Sequence, residues 1–184
     1  MDINAIYLMK QELEKRGVIN PNDVSVVSMR EKGKKFSFED HLKALIYALL
    51  TNQRKWSDVV PKLPQIDELF FNYDISKILA LDGDYFERGI RQLHCGNISI
   101  KKQMKNLNKN ICILISIEDE YGSLDNYVTS KDSDSIVKDI AAGKYKLYGV
   151  GPALAREYLR NVGIDDAKPD LHLKRFMGCE RIGV

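Results

Sequence analysis

Between Lys146 and Arg175 the chain reads KLYGVGPALAREYLRNVGIDDAKPDLHLKR, and three residue types in it are suited to chemistry. Gly149 and Gly151 flank Val150 and permit a tight turn with positive φ, while removing side chains that would block close approach. Pro152 follows, a residue suited to the first position of a helix. The amides of Gly149, Val150 and Gly151 are then expected to lie free at a helix N-terminus, where they and the helix dipole attract an anion such as a nucleic-acid phosphate. A plain corner between two helices would need the same turn.

Farther along, Gly163 is placed to end that helix in a left-handed cap, and Pro169-Asp170 opens another. Asp170 falls at or near the new N-cap, where the dipole favours an ionised carboxylate. Capping alone would also explain it, since Asp is a favoured N-cap.

The elements that must position these residues read as helices almost throughout. Ile3, Ile6, Tyr7 and Leu13 suit an amphipathic helix from Asp2 to Gly17. Residues 22–38 are ambiguous, with VSVV readable as a short strand. Ser37 and Asp40 form a near capping box ahead of HLKALIYALL, expected to be the central buried helix. Short helices are expected after Asp67 and Asp74. A single segment carrying the stripe Ile100, Met104, Leu107, Ile111 and Leu114 should run to Gly122, and another from Asp132 or Ser133 to Gly143. The reading is all-α, one domain over residues 1–184.

Composition bounds the rest. The 184 residues are 44% hydrophobic and 29% charged, with a net charge of +2, ordinary for a soluble globular chain. No signal peptide is apparent, and the longest apolar run, Ala44–Leu50, is too short for a membrane. Three scattered cysteines, Cys95, Cys112 and Cys179, argue against a disulfide framework, a zinc site or an iron–sulfur cluster, and suit a reducing cytoplasm. Charge is unevenly distributed. Arg88, Arg91, Lys101, Lys102, Lys105 and Lys109 lie in a stretch with no acid, and acids dominate from Ile113 to Ile140. Solvated helix faces account for such runs, and so does a surface turned to polyphosphate.

LYGVGPALA, followed by PDLHLKR, resembles the helix–hairpin–helix superfamily of base-excision DNA glycosylases, which includes endonuclease III and the adenine-mismatch, 8-oxoguanine and alkylbase glycosylases. Leu147, Gly149, Val150, Gly151, Asp170, His172 and Arg175 occupy the places of its signature. LLTNQRKW, Leu49–Trp56, resembles the segment that ends the family's central helix and presents a glutamine to DNA. The resemblance covers roughly residues 37–175.

It implies a two-lobed helical fold, with the helix–hairpin–helix at about 133–162 and a catalytic loop and helix at 163–178. The implied partner is double-stranded DNA carrying a damaged or mispaired base, bound by a monomer. The implied reaction is hydrolysis of the N-glycosidic bond. Positive charge builds on the sugar as the base leaves, and the Asp170 carboxylate would stabilise it and orient the attacking water. Gln53, with Asn52 and Arg54 beside it, would fill the gap left by the extruded nucleotide. The hairpin amides would hold phosphate, helped by a Na+ or K+ ion on the main-chain carbonyls of Leu147 and Val150.

Two departures bear on the activity. Members that also cleave the strand carry a lysine where this chain has Ala153, so a monofunctional enzyme is expected, unless Lys168 or Lys174 substitutes. The sequence ends 14 residues past Asp170, where many relatives continue with further helices. That reads as a minimal or a truncated member, and leaves an inert helix–hairpin–helix DNA-binding protein as the alternative.

Overall fold

The computed structural model describes residues 26–166 and, before them, Leu8, Gln11, Glu12 and Lys15, all four helical. The rest of the Asp2–Gly17 helix, and Lys168, Asp170, His172, Lys174 and Arg175, lie outside the described residues. Among those described, the regular structure is entirely helical. The helices are α1 (Val26–Glu31), α2 (Phe38–Leu50), α3 (Trp56–Val59), α4 (Leu63–Leu69), α5 (Ile75–Leu79), α6 (Gly83–Gln92), α7 (Ile100–Lys105), α8 (Leu107–Tyr121), α9 (Leu124–Thr129), α10 (Ser133–Ala142) and α11 (Pro152–Asn161). None is long and apolar enough to cross a membrane.

Local signals explain most boundaries. Ser37 and Asp40 complete a capping box at α2, and the Asp74 and Asp132 side chains accept from Lys77 N–H and Ser135 N–H at the starts of α5 and α10. Gly122 ends α8 in the left-handed region, with φ of 75°. Gly163, with φ of 79°, ends α11. There the Ile164 and Gly163 amides donate to Leu159 and Arg160 carbonyls, both at 3.0 Å, a Schellman closure.

Three expectations are corrected. Of VSVV, the two described residues, Val26 and Val27, begin helix α1 and are not in a strand. Asp67 starts no helix, because Pro64 has already begun α4, and Asp67 sits inside it. Its carboxylate instead accepts from Lys43 (2.8 Å), Tyr47 (2.6 Å) and Tyr73 (2.5 Å). The apolar stripe from Ile100 is broken at Asn106 into α7 and α8, and the Asn106 side chain donates back to the Lys102 carbonyl at 2.8 Å. A side-chain amide that competes for backbone partners in this way disfavours a continuous helix.

The central helix α2 is buried along most of its length, with Leu42, Leu45, Ile46, Leu49 and Leu50 fully inaccessible. Hairpin helix α11 packs along it, and the two are joined where His41 Nδ1 meets the Tyr158 hydroxyl at 2.7 Å. Leu147, Val150 and Leu154 of the hairpin belong to the same hydrophobic cluster as α2. The turn that carries the glycines is thereby anchored to the core rather than hung from it.

Candidate nucleic-acid interface

The hairpin is held by backbone bonds and one buried asparagine. Leu147 N–H donates to the Ile140 carbonyl at 2.8 Å, tying the loop to the last turn of α10. Asn110, fully buried in α8, takes Tyr148 N–H on Oδ1 at 2.7 Å and donates from Nδ2 to the Tyr148 carbonyl at 3.0 Å. Gly149 then turns with φ of 79°. Gly151 is the N-cap of α11, with φ of −99° and ψ of 178°, and no side chain caps that helix.

The two glycines differ in what requires them. At Gly149 the positive φ does, and an added Cβ would also stand 3.4 Å from Gln103 Cγ. At Gly151 the backbone is ordinary and an added Cβ would meet nothing within 4 Å. The fold leaves open space in front of Gly151, and a ligand approaching the helix end would use it. The Gly149 and Gly151 amides have no acceptor among the described residues. Val150 differs from the expectation: it is buried, and its N–H donates to the Leu147 carbonyl at 3.3 Å. The amides left without an acceptor among the described residues are therefore those of the glycines. Leu147 O keeps a second lone pair, so this bond does not bar its carbonyl, or that of Val150, from a monovalent cation. Among the described residues no group of acidic, histidine or cysteine side chains could hold a metal ion.

The second segment lies at the end of α2. Thr51 is its C-cap and fixes the exit, donating from Oγ1 to the Ala48 carbonyl at 3.1 Å. Asn52 is half-buried and Gln53 exposed. Gln53 has φ of 59°, in the left-handed region that favours glycine, at a cost on the order of 1 kcal/mol or more. An exposed glutamine held there presents its side chain outward at an energetic cost. Arg54 turns back, and its Nη2 donates to the His94 carbonyl.

Gln103 links the two segments. Buried in α7, it donates from Nε2 to the Leu49 carbonyl at 3.4 Å and accepts from Asn97 Nδ2 at 3.2 Å, while its Cγ lies beneath Gly149. Asn97 itself donates to the Leu49 carbonyl at 2.9 Å. Sequence reasoning missed Asn97, Gln103 and Asn110. For Asn110 a signal existed, since it sits against the apolar stripe of Leu107, Ile111 and Leu114, where a buried amide must find partners.

The charges fall around this framework. Lys101, Lys102, Lys105 and Lys109 are exposed on the helices that carry Gln103 and Asn110, and Lys109 Nζ lies 5.5 Å from the half-exposed Tyr148 ring. The hairpin's own arginines are already engaged. Arg156 pairs with Asp134 and Asp166, and Arg160 with Glu157. Positive charge free for an anion comes from α7 and α8, beside the glycine turn.

No family model, curated protein or solved structure matches this chain. The functional reading therefore rests on the residues and their arrangement.

Proposed function

We propose that this chain is a DNA glycosylase of the helix–hairpin–helix kind, hydrolysing the N-glycosidic bond of a damaged or mispaired base without cutting the strand. The observation that carries the reading is Gly151, a glycine that neither backbone angle nor packing demands, at an uncapped helix start beside unpaired lysines. Glycine is an acceptable N-cap, and a phosphodiester approaching the Gly149 and Gly151 amides supplies a further reason for it. The buried Gln103 places this anchor and the strained Gln53 on one framework, consistent with a two-lobed molecule that grips the backbone and fills the gap left by an extruded nucleotide.

In this reading Asp170 follows the hairpin and meets the sugar. Its carboxylate stabilises the charge that develops as the base departs and orients the attacking water. Ala153, half-buried in the first turn of α11, offers no amine for an imine with the sugar.

The test is a panel of duplexes, each carrying one modified or mispaired base. One of them should release its free base and leave an abasic site that breaks only on treatment with alkali or heat. Borohydride added during the reaction should trap no protein–DNA adduct. Duplex binding with no base released from any substrate would establish an inert binding module instead. A strong adduct, lost when Lys168 or Lys174 is replaced, would establish a lyase.

A further inference from the structure

A cationic pocket opens at Arg54, the residue that follows Gln53. It has a volume of about 350 Å³ and is lined by Arg54, Arg91, His94 and Gly96, with no carboxylate among its lining residues. We propose that it is a cradle for one phosphodiester of the DNA backbone, separate from the glycine turn and adjoining the candidate gap-filling glutamine. This inference rests on the DNA-binding reading above and adds to it a second point of contact.

Arg54 is the first reason. Its Nη2 donates to the His94 carbonyl, but its Nε–H is buried with no acceptor among the described residues. No carboxylate pairs with this guanidinium among the described ion pairs. A buried charged donor without a partner is costly, and an anion entering the pocket would satisfy it. Positive charge gathers here from a second side. Burial raises the Cys95 thiol, and the charges of Lys62 and Arg54 both pull it the other way.

The backbone is the second reason. Helix α6 ends with the Cys95 amide donating to the Ile90 carbonyl at 3.0 Å and the His94 amide to Arg91 at 2.9 Å. His94 thus occupies the left-handed position of the closure, with φ of 55°, where glycine is the usual residue. This conformation is what turns the His94 carbonyl to Arg54. His94 lines the pocket, and Gln53, the chain neighbour of its Arg54, is also in the left-handed region with φ of 59°. Such strain persists where the surroundings enforce it, and it concentrates at binding sites. Nearby, Asn97 ties this loop to the end of α2, donating to the Leu49 carbonyl at 2.9 Å and accepting from Ser99 N–H at 2.8 Å.

Arg91 is the exchangeable partner. Its Nε donates to Glu87 at 2.9 Å one helical turn away, and its side chain is 54% exposed. Its Nη1 lies 4.0 Å from the position a Cβ on Gly96 would take, so the guanidinium lies beside the loop. A single i,i+4 pair with its guanidinium open to solvent contributes little, so a phosphate can compete with it.

The experiment compares Arg91→Gln with Arg88→Gln, which removes the same charge from an exposed position of the same helix that does not line the pocket. Dissociation constants for an unmodified duplex are measured across a salt series, and the Gly96 amide resonance is followed during titration with duplex and with inorganic phosphate. Loss of one phosphate contact lowers the slope of log affinity against log salt by about 0.9. Arg91→Gln should show that loss, with binding about tenfold weaker at low salt. Arg88→Gln should keep the parent slope, and Gly96 should shift with duplex at concentrations where inorganic phosphate has no effect. Equal slopes for the two variants would overturn the cradle while leaving duplex binding intact. Saturation of Gly96 by inorganic phosphate, with no shift on duplex, would make it a small-anion site and also overturn the proposal. A parent chain that binds no duplex would remove both this inference and the reading beneath it.

Discussion

Asn110 holds both backbone polar groups of Tyr148, accepting its N–H at 2.7 Å and donating to its carbonyl at 3.0 Å. One buried side chain therefore fixes the residue immediately before the left-handed Gly149, and with it the direction in which the glycine amides point. Asn110→Ala would strip both partners from Tyr148 and is expected to destabilise the fold by about 2–3 kcal/mol. Asn110→Asp keeps the acceptor but sets a buried carboxylate against the Tyr148 carbonyl, and should recover none of that loss at neutral pH. Chemical denaturation of the three proteins, with duplex affinity measured where each is folded, checks this. Affinity should fall in the same order as stability, because a loosened turn no longer pre-orients its amides.

The two hairpin glycines should separate fold from binding. Gly149→Ala forces a Cβ onto a backbone with φ of 79° and should cost on the order of 1 kcal/mol or more. Gly151→Ala meets no neighbour and should cost less than about 1 kcal/mol, from the poorer N-cap. Both should weaken duplex binding, and equally for every sequence, since phosphate contacts position without specifying. Thermal unfolding and binding to several unrelated duplexes give the two readouts. A Gly151→Ala protein that binds as tightly as the parent would reduce the turn to a corner between helices.

His41 predicts how stability depends on pH. Burial lowers its pKa from 6.5 to about 4, opposed by the Asp125 carboxylate and assisted by Arg30. Arg30 bonds Asp125 at 2.5 Å and holds that acid below its ordinary value, although burial alone would raise it. The Tyr158 hydroxyl lies 2.7 Å from Nδ1, and the Asp40 charge also opposes the lowering. Between pH 6.5 and 4 the unfolded chain binds a proton at His41 that the folded chain refuses. Stability is therefore full above about pH 6.5 and falls as pH drops through that window, by on the order of 3 kcal/mol. His41→Gln, measured by denaturation from pH 7.5 to 4.5, should flatten the slope. An unchanged slope would place the acid sensitivity elsewhere.

Sequence periodicity and capping residues were enough to read the all-α class, the capped start of α2, the glycine end of α8 and the hairpin boundaries, because each depends on neighbours a few residues away. The break at Asn106 and the partners of Asp67 were not legible. Both depend on contacts that form only in the folded chain, with Lys102 in one case and with Lys43, Tyr47 and Tyr73 in the other. The glycine turn was read as three free amides, and one of them proves to be spent within the turn, on Leu147. The distinction between Gly149 and Gly151 needs φ values and neighbouring atoms, which spacing does not carry. Gln103 and Asn97 escaped notice for the same reason: their partner is the Leu49 carbonyl, about 50 positions away in the chain.

The most direct test of base excision is to compare Asp170→Asn with the parent on whichever duplex of the panel releases a base. Asn is also a favoured N-cap, so the change should leave stability and duplex affinity near those of the parent. Released base is quantified under single-turnover conditions. A loss of roughly a thousandfold or more in the excision rate is expected, with binding retained, because the amide cannot balance the charge that develops on the sugar. Near-normal excision by Asp170→Asn would contradict it and return Asp170 to the role of a helix cap.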